Sequence, residues 1–285
     1  LTNLTSLLLH YNIISDLKPL TNLTKLTLLD LNDNNFTDIA SLSNLTNLTE
    51  LWLQSNKFSD ISSLSKLTNL QFLYLHNNQI SDISSLVNLT KLIHLFLDAN
   101  KISDISPLVN LTNLNKLWLG YNQINNISSL AKLTKLTELH LDHNQISDIS
   151  SLANLTNLNT LYSVGNQISN ISSLAKLTKL TELYIQVNQI SDISSLANLT
   201  NLNILDLHSN QISNILSLSK LSNLQLLDLS YNQINDIQSL VDNSGVNSGD
   251  SQYLQVNSLN NSDCTNIKIL QDRGVNLQTD PIACT

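Results

Sequence analysis

An asparagine returns every 22 residues along this chain, at Asn12, Asn34, Asn56, Asn78, Asn100, Asn122, Asn144, Asn166, Asn188, Asn210 and Asn232, without a slip in spacing. A fixed period of that length predicts a solenoid, in which each repeat is one structural unit stacked on the next. The unit is clearest from Leu136 to Ile149, Leu-Thr-Glu-Leu-His-Leu-Asp-His-Asn-Gln-Ile-Ser-Asp-Ile. The alternation Leu139-x-Leu141 puts both leucines on one face of a short strand and sends His140 to the other. Leu136 before the strand, and Ile146, Ile149 and Leu152 after it, add apolar side chains that one repeat cannot bury alone. Stacking buries them, with successive strands side by side in a parallel sheet. Asn144 stands where the chain turns away from the strand. There its amide can satisfy turn N–H and C=O groups that no neighbouring strand reaches. Asp148, which recurs as Asp or Asn, is placed to cap the tight turn Ile149-Ser150-Ser151-Leu152.

The pattern L-x-x-L-x-L-x-x-N-x-I-x-D-I-x-x-L resembles the 22-residue class of leucine-rich repeat, which includes the bacterial internalins and the repeat regulators of protein phosphatase 1. The resemblance covers about residues 1–241. It implies an α/β solenoid, a curved right-handed horseshoe with a parallel β-sheet on the concave side and short 3₁₀ or turn segments on the convex side. Twenty-two residues leave little room there for full helices. It also implies a non-enzymatic role, the binding of other macromolecules on the concave face.

Composition narrows the partner. Twenty-two acids against 14 bases give a net charge of −8, and Arg273 is the one arginine, so no basic stripe is available for nucleic acid. No apolar run reaches the length of a membrane span, and no signal peptide is visible. Leu1, Leu4, Leu7 and Leu9 already follow the repeat pattern, so the chain begins inside a repeat; we expect upstream residues, with an N-terminal cap and a signal peptide, to be missing from it.

The repeats hold their framework and vary their strand face. Asn126 to Leu139 is identical to Asn170 to Leu183, and Asn144 to Asn159 to Asn188 to Asn203, as tandem duplication of a two-repeat unit would leave them. Between these copies His140-Leu141-Asp142-His143 has become Tyr184-Ile185-Gln186-Val187. Four residues before successive asparagines stand Trp52, Tyr74, Phe96, Trp118, His140, Tyr162 and Tyr184, seven rings in one column. At about 4.8 Å per strand this makes a ladder roughly 29 Å long. Asp98, Asp142, Glu50, Glu138 and Glu182 run beside it, with Asp30, Asp33, Asp206 and Asp228, against the single base Lys116. Stacked rings stabilise neighbouring strands. A contiguous band of exposed rings on a solvent-facing sheet also marks an interaction site. We expect a protein or glycan ligand there, contacting Trp52, Tyr74, Phe96, Trp118, His140, Tyr162 and Tyr184, with Glu138, Asp142, Glu182 and Asp98 favouring a partner that carries basic groups.

Glu138, His140, Asp142 and His143 supply acid, base and metal-ligand types on one strand. Strand geometry aims His140 and His143 to different places and offers no pocket, so no catalytic residue, metal site or cofactor is expected. The N-x-[ST] triplets at Asn22, Asn44, Asn88, Asn110, Asn154 and Asn198 read as copies made with the repeat.

One repeat breaks the rule, with Ser163 in place of the second strand leucine, followed by Val164 and Gly165. After Leu240 the period fails. Residues 242–285 read as a C-terminal cap: a Gly/Ser/Asn/Asp-rich loop, a degenerate strand at Tyr253 to Asn257, then a short helix capped by Ser262 or Asp263. Ile267 and Leu270 would face the solenoid end, Gly274 would stop the helix, and Val275 and Leu277 would resume an extended run. This cap departs from the immunoglobulin-like module that follows the repeats in internalins. Cys264 and Cys284, the two cysteines, both fall in it; a bridge would close a loop of about 20 residues and add roughly 3 kcal/mol, and two free thiols are the alternative. A bridge favours an exported protein. We therefore expect a monomeric binding module at a bacterial surface or outside the cell, with an intracellular scaffold resembling the phosphatase regulators as the second reading.

Overall fold

The computed structural model describes residues 2–280. Two compact units divide the chain, Leu1–Asn144 and Gln145–Thr285. The first carries seven three-residue strands, β1 (Ser6–Leu8), β2 (Leu28–Asp30), β3 (Glu50–Trp52), β4 (Phe72–Tyr74), β5 (His94–Phe96), β6 (Lys116–Trp118) and β7 (Glu138–His140). The second carries β8 (Thr160–Tyr162), β9 (Glu182–Tyr184), β10 (Ile204–Asp206), β11 (Leu226–Asp228), β12 (Ser251–Tyr253) and β13 (Asn276–Gln278). Within each unit the strands pair in chain order and in parallel, as in a repeat solenoid. From β1 to β7, and from β8 to β11, each residue faces the one 22 positions on, as Leu73 faces Leu95.

The strands are short because only the middle residue of each points inward. In one repeat Leu92, Leu95, Leu97, Ile102, Ile105, Leu108 and Leu111 are all at most 1% exposed. After the strand, 3₁₀ turns such as Ser106–Asn110 and Ser128–Lys132 carry the chain back, as 22 residues demand. The recurring Asp or Asn before each turn accepts a backbone N–H two residues on, Asp148 Oδ1 from Ser150 at 2.8 Å and Asn126 Oδ1 from Ser128 at 2.9 Å.

The asparagine column ties each coil to the one before it. Asn34 Nδ2 donates to Leu31 O at 3.1 Å and Asn32 O at 3.1 Å in its own repeat, and to Leu9 O at 2.9 Å in the preceding repeat, while its Oδ1 accepts Ile14 N–H at 2.9 Å. One side chain thus serves four backbone groups that the ladder misses.

The residue before each asparagine is left-handed, with φ between 48° and 63° from Tyr11 to Tyr231. Gly165 takes this conformation freely. Val187, at φ 55° and 47% exposed, does not: its branched Cβ crowds the following carbonyl, at a cost of about 1–2 kcal/mol. Val187→Gly is expected to raise stability by about 1 kcal/mol, since little burial is lost, and to shift the urea midpoint upward. A midpoint that falls would show that the valine is held there without strain.

The period does not end at Leu240; it lengthens. Ser251 faces Leu226 and Asn276 faces Ser251, steps of 25 residues. Asn257 joins the asparagine column, accepting Ile234 N–H at 3.0 Å and donating to Leu229 O at 2.9 Å. The added residues accommodate α1 (Gln238–Asp242) and α2 (Cys264–Asp272) where 3₁₀ turns stood before. Ile267 and Leu270 are buried, and Gly274, at φ +80°, follows the helix end, as expected. Asp263 stands at the N-cap position of α2, one of the two expected residues, but its side chain bonds back to the turn before it: Asn260 Oδ1 accepts Ser262 N–H at 2.9 Å while Asp263 Oδ2 accepts Asn260 N–H at 3.1 Å, a reciprocal box that opens a short 3₁₀ turn leading into α2. Cys264 is the first residue of α2; Cys284 lies outside the described residues, and the expected bridge with it. No helix among the described residues is long and apolar enough to cross a membrane.

Candidate binding face

In Leu1–Asn144 the third residue of each strand points away from the core, and parallel register brings these side chains into contact. Trp52 and Tyr74 have ring centroids 4.2 Å apart, Tyr74 and Phe96 5.0 Å in an edge-to-face pair, Phe96 and Trp118 4.0 Å with nearly parallel planes, and Trp118 and His140 4.4 Å. These are favourable aromatic geometries. They also hide much of the surface that the sequence leads one to expect as exposed. Tyr74 is only 9% exposed, and Trp52, Phe96, Trp118 and His140 are half-buried, because each ring covers its neighbour's face.

The first residue of each strand forms a second column, in which Phe72 meets His94 edge-on at 5.1 Å. Glu138 is its hub. Glu138 Oε1 accepts the Trp118 indole N–H at 2.8 Å and lies 3.1 Å from His140 Nε2, while Oε2 pairs with Lys116 Nζ at 2.6 Å. Burial pushes the Glu138 carboxyl up, but hydrogen bonds from Lys116 and Trp118 and the nearby positive charge outweigh it and hold it below the usual range. Burial likewise holds His140 down against the pull of Glu138. Glu50 repeats the motif, accepting the Trp52 indole at 2.8 Å. Both indole N–H groups are therefore satisfied within the face, and the rings present planes and edges rather than polar handles.

Asp98 and Asp142 do not join this cluster. They flank Gly120 in the column two residues before each asparagine, where Asp98 Oδ1 accepts the Gly120 N–H at 2.9 Å and its Oδ2 is buried without a hydrogen-bond partner. Burial, with Asp142 nearby, raises Asp98 to about 7.

In Gln145–Thr285, Tyr162 and Tyr184 stack at 4.2 Å, and Glu182 hydrogen-bonds the Tyr184 phenol, whose ionisation burial pushes up. Ser163 is 1% exposed, and its hydroxyl is buried without a hydrogen-bond partner where a leucine would pack. Farther along, Asp206, His208 and Asp228 converge. Sequence reasoning placed Asp206 and Asp228 beside the ring column without joining His208 to them. It also missed a set of exposed rings, Tyr11 at 75%, Tyr121 at 60% and Tyr231 at 58%, each immediately before its asparagine. The asparagine period itself is the signal that finds them. Tyr121 stacks on His143 at 4.4 Å.

The family model for a leucine-rich repeat region matches residues 3–239. An internalin from Listeria monocytogenes, inlF, is 41% identical, superposes with a TM-score of 0.91, and is matched over 99% of this chain and 82% of its own. The chain is a leucine-rich repeat protein of the internalin family. The internalin match takes in nearly the whole chain, so the 25-residue steps after Leu240 lie within it. Internalin C2 of the same organism is 42% identical over 59% of this chain and 75% of its own, with a TM-score of 0.58. A plant peptide hormone receptor, RGFR1 in complex with RGF2, shares the fold at 24% identity and a TM-score of 0.81, over 98% of this chain and 47% of its own. No curated protein matches the sequence. Internalin-like repeat chains are in general non-enzymatic binding scaffolds.

Proposed function

We propose that this internalin-family chain is a bacterial surface or secreted module that binds a protein ligand on the open strand face of Leu1–Asn144, without catalysing a reaction. The observation that carries the reading is the unbroken stack Trp52, Tyr74, Phe96, Trp118 and His140, with its indole N–H groups already satisfied by Glu50 and Glu138. A sheet needs cross-strand contacts but not five rings in succession, and such rings supply most of the energy at protein interfaces. Asp30, Asp33, Glu50, Asp98, Glu138 and Asp142 lie on or beside this face, and the one lysine among them is already paired with Glu138. That balance favours a ligand with basic groups around an apolar centre and speeds its approach at low salt. Tyr162, Tyr184 and Glu182 offer the same chemistry on the second unit. A Cys264–Cys284 bridge and a closing role for residues 242–285 fit an exported monomer.

The test is a panel of host and bacterial surface proteins and glycans passed over the chain and over a Phe96→Ala, Trp118→Ala variant, both checked for folding by circular dichroism. A protein ligand retained by the parent is expected to lose at least 30-fold in affinity, about 2 kcal/mol. A folded variant that holds the same ligand equally well would move the site off this face.

A further inference from the structure

We propose that Asp206, His208 and Asp228 form a binding site for a divalent transition-metal ion of the zinc type. This site is independent of the ring stack and does not rest on the reading above.

Parallel pairing of β10 with β11 sets Asp206 directly opposite Asp228. Elsewhere within each unit, charged strand residues face neutral or opposite partners. Asp30 faces Leu8 and Trp52, Glu50 faces Leu28 and Phe72, Lys116 faces Glu138, and Glu182 faces Thr160 and Ile204. Like charges directly opposite one another destabilise a sheet, and a bound cation removes the conflict.

The geometry supplies the rest. His208 Nδ1 lies 2.8 Å from Asp206 Oδ1, and one ligating atom from each of the three residues comes within 4.8 Å of the others. A tetrahedral ion with bonds of about 2.0–2.1 Å holds its ligands about 3.3 Å apart, so side-chain rotations shifting atoms by about 1.5 Å close the site. Ser230 braces Asp228 through its N–H at 2.9 Å and its hydroxyl at 2.5 Å, the kind of outer support that orients metal ligands. Two carboxylates balance a dication. The imidazole selects a transition metal over calcium or magnesium, which favour all-oxygen sites. With side chains 31% and 15% exposed, His208 and Asp206 leave an entry path, and three protein ligands leave a coordination position open.

Zinc is titrated calorimetrically into the full chain, into Asp228→Asn and His208→Gln, and into His10→Gln as a control for a histidine paired with one carboxylate. The proposal expects one equivalent bound, at least 10-fold weaker in Asp228→Asn and in His208→Gln and unchanged in His10→Gln, with magnesium in excess failing to displace it. Circular dichroism confirms that each variant is folded. Absence of saturable binding, or binding as strong in either site variant as in the parent chain, overturns it.

Discussion

Asn144→Ala is expected to destabilise the protein by about 4 kcal/mol, far more than a one-residue polar truncation at a surface turn. Asn144 Nδ2 donates to Leu119 O at 2.9 Å, Leu141 O at 3.1 Å and Asp142 O at 3.1 Å, and its Oδ1 accepts Ile124 N–H at 2.9 Å. The residue is 8% exposed, so water cannot replace those partners without opening the coil. Asn144→Asp is the sharper probe. It keeps the shape and the acceptor for Ile124, yet turns the donor aimed at three carbonyls into a negative oxygen, and should cost at least as much as alanine. Asn126→Ala, which removes one exposed turn hydrogen bond, should cost about 1 kcal/mol. Urea unfolding of the three variants, with amide exchange across residues 119–146, decides the matter. Equal, small effects from Asn144→Ala and Asn126→Ala would mean that the column is decoration on a core that holds itself together.

Asp98 should give the protein a pH dependence opposite to that of an ordinary surface carboxylate. Its folded-state value, about 7, lies above the unfolded 3.8 because the side chain is buried, with one oxygen on Gly120 N–H and the other without a partner. Between those values the folded chain binds the extra proton, so its contribution to stability is greatest below pH 4, declines as pH rises, and levels off above 7. Three pH units correspond to at most about 4 kcal/mol. Asp60, Asp82, Asp148 and Asp192 work the other way: hydrogen bonds from Ser62, Ser84, Ser150 and Ser194 lower them, so their stabilisation fades only as pH falls below about 4. Asp98→Asn should therefore be more stable than the parent at pH 8, and the difference should shrink as the pH approaches 5. A difference independent of pH would show that Asp98 is ionised throughout. On the proposed reading of the face, the charge of Asp98 above pH 7 would also add to its attraction for a basic ligand.

The fold was legible because the repeat carries its cause in its own letters. Leucines two apart can share a face only in a strand, the flanking isoleucines can be buried only by a neighbour, and the asparagine must answer backbone groups beside that wall. Asp148 and its equivalents were readable as turn caps for the same local reason. Four features were not readable. The left-handed residue before each asparagine is Tyr, Asp, Ser, Asn, Ala, His, Gly or Val, so no residue preference betrays it; the bonds of the following asparagine impose it. The 25-residue steps were hidden because Gln252 replaces the inward leucine, and because the helices that need the extra length have weaker signals than the repeats. The candidate site was legible as a column but not in its exposure. Which ring shields which depends on side-chain rotation, and Tyr74 is covered by Trp52 on one side and Phe96 on the other. Asp206, His208 and Asp228 could be seen as a group only once strand register put residues 22 apart side by side.

Both tryptophans of the protein, Trp52 and Trp118, sit in the ring stack, and Trp118 lies between Phe96 at 4.0 Å and His140 at 4.4 Å with its N–H on Glu138. The indole emission of this protein consequently originates entirely on the strand face of the first unit, and none of it comes from the leucine interior. A molecule settling on that face displaces water from the only two indoles, and protonation of His140 places a quencher against one of them. The chain carries its own optical reporter on the face proposed to take the ligand, so that proposal can be followed without a label.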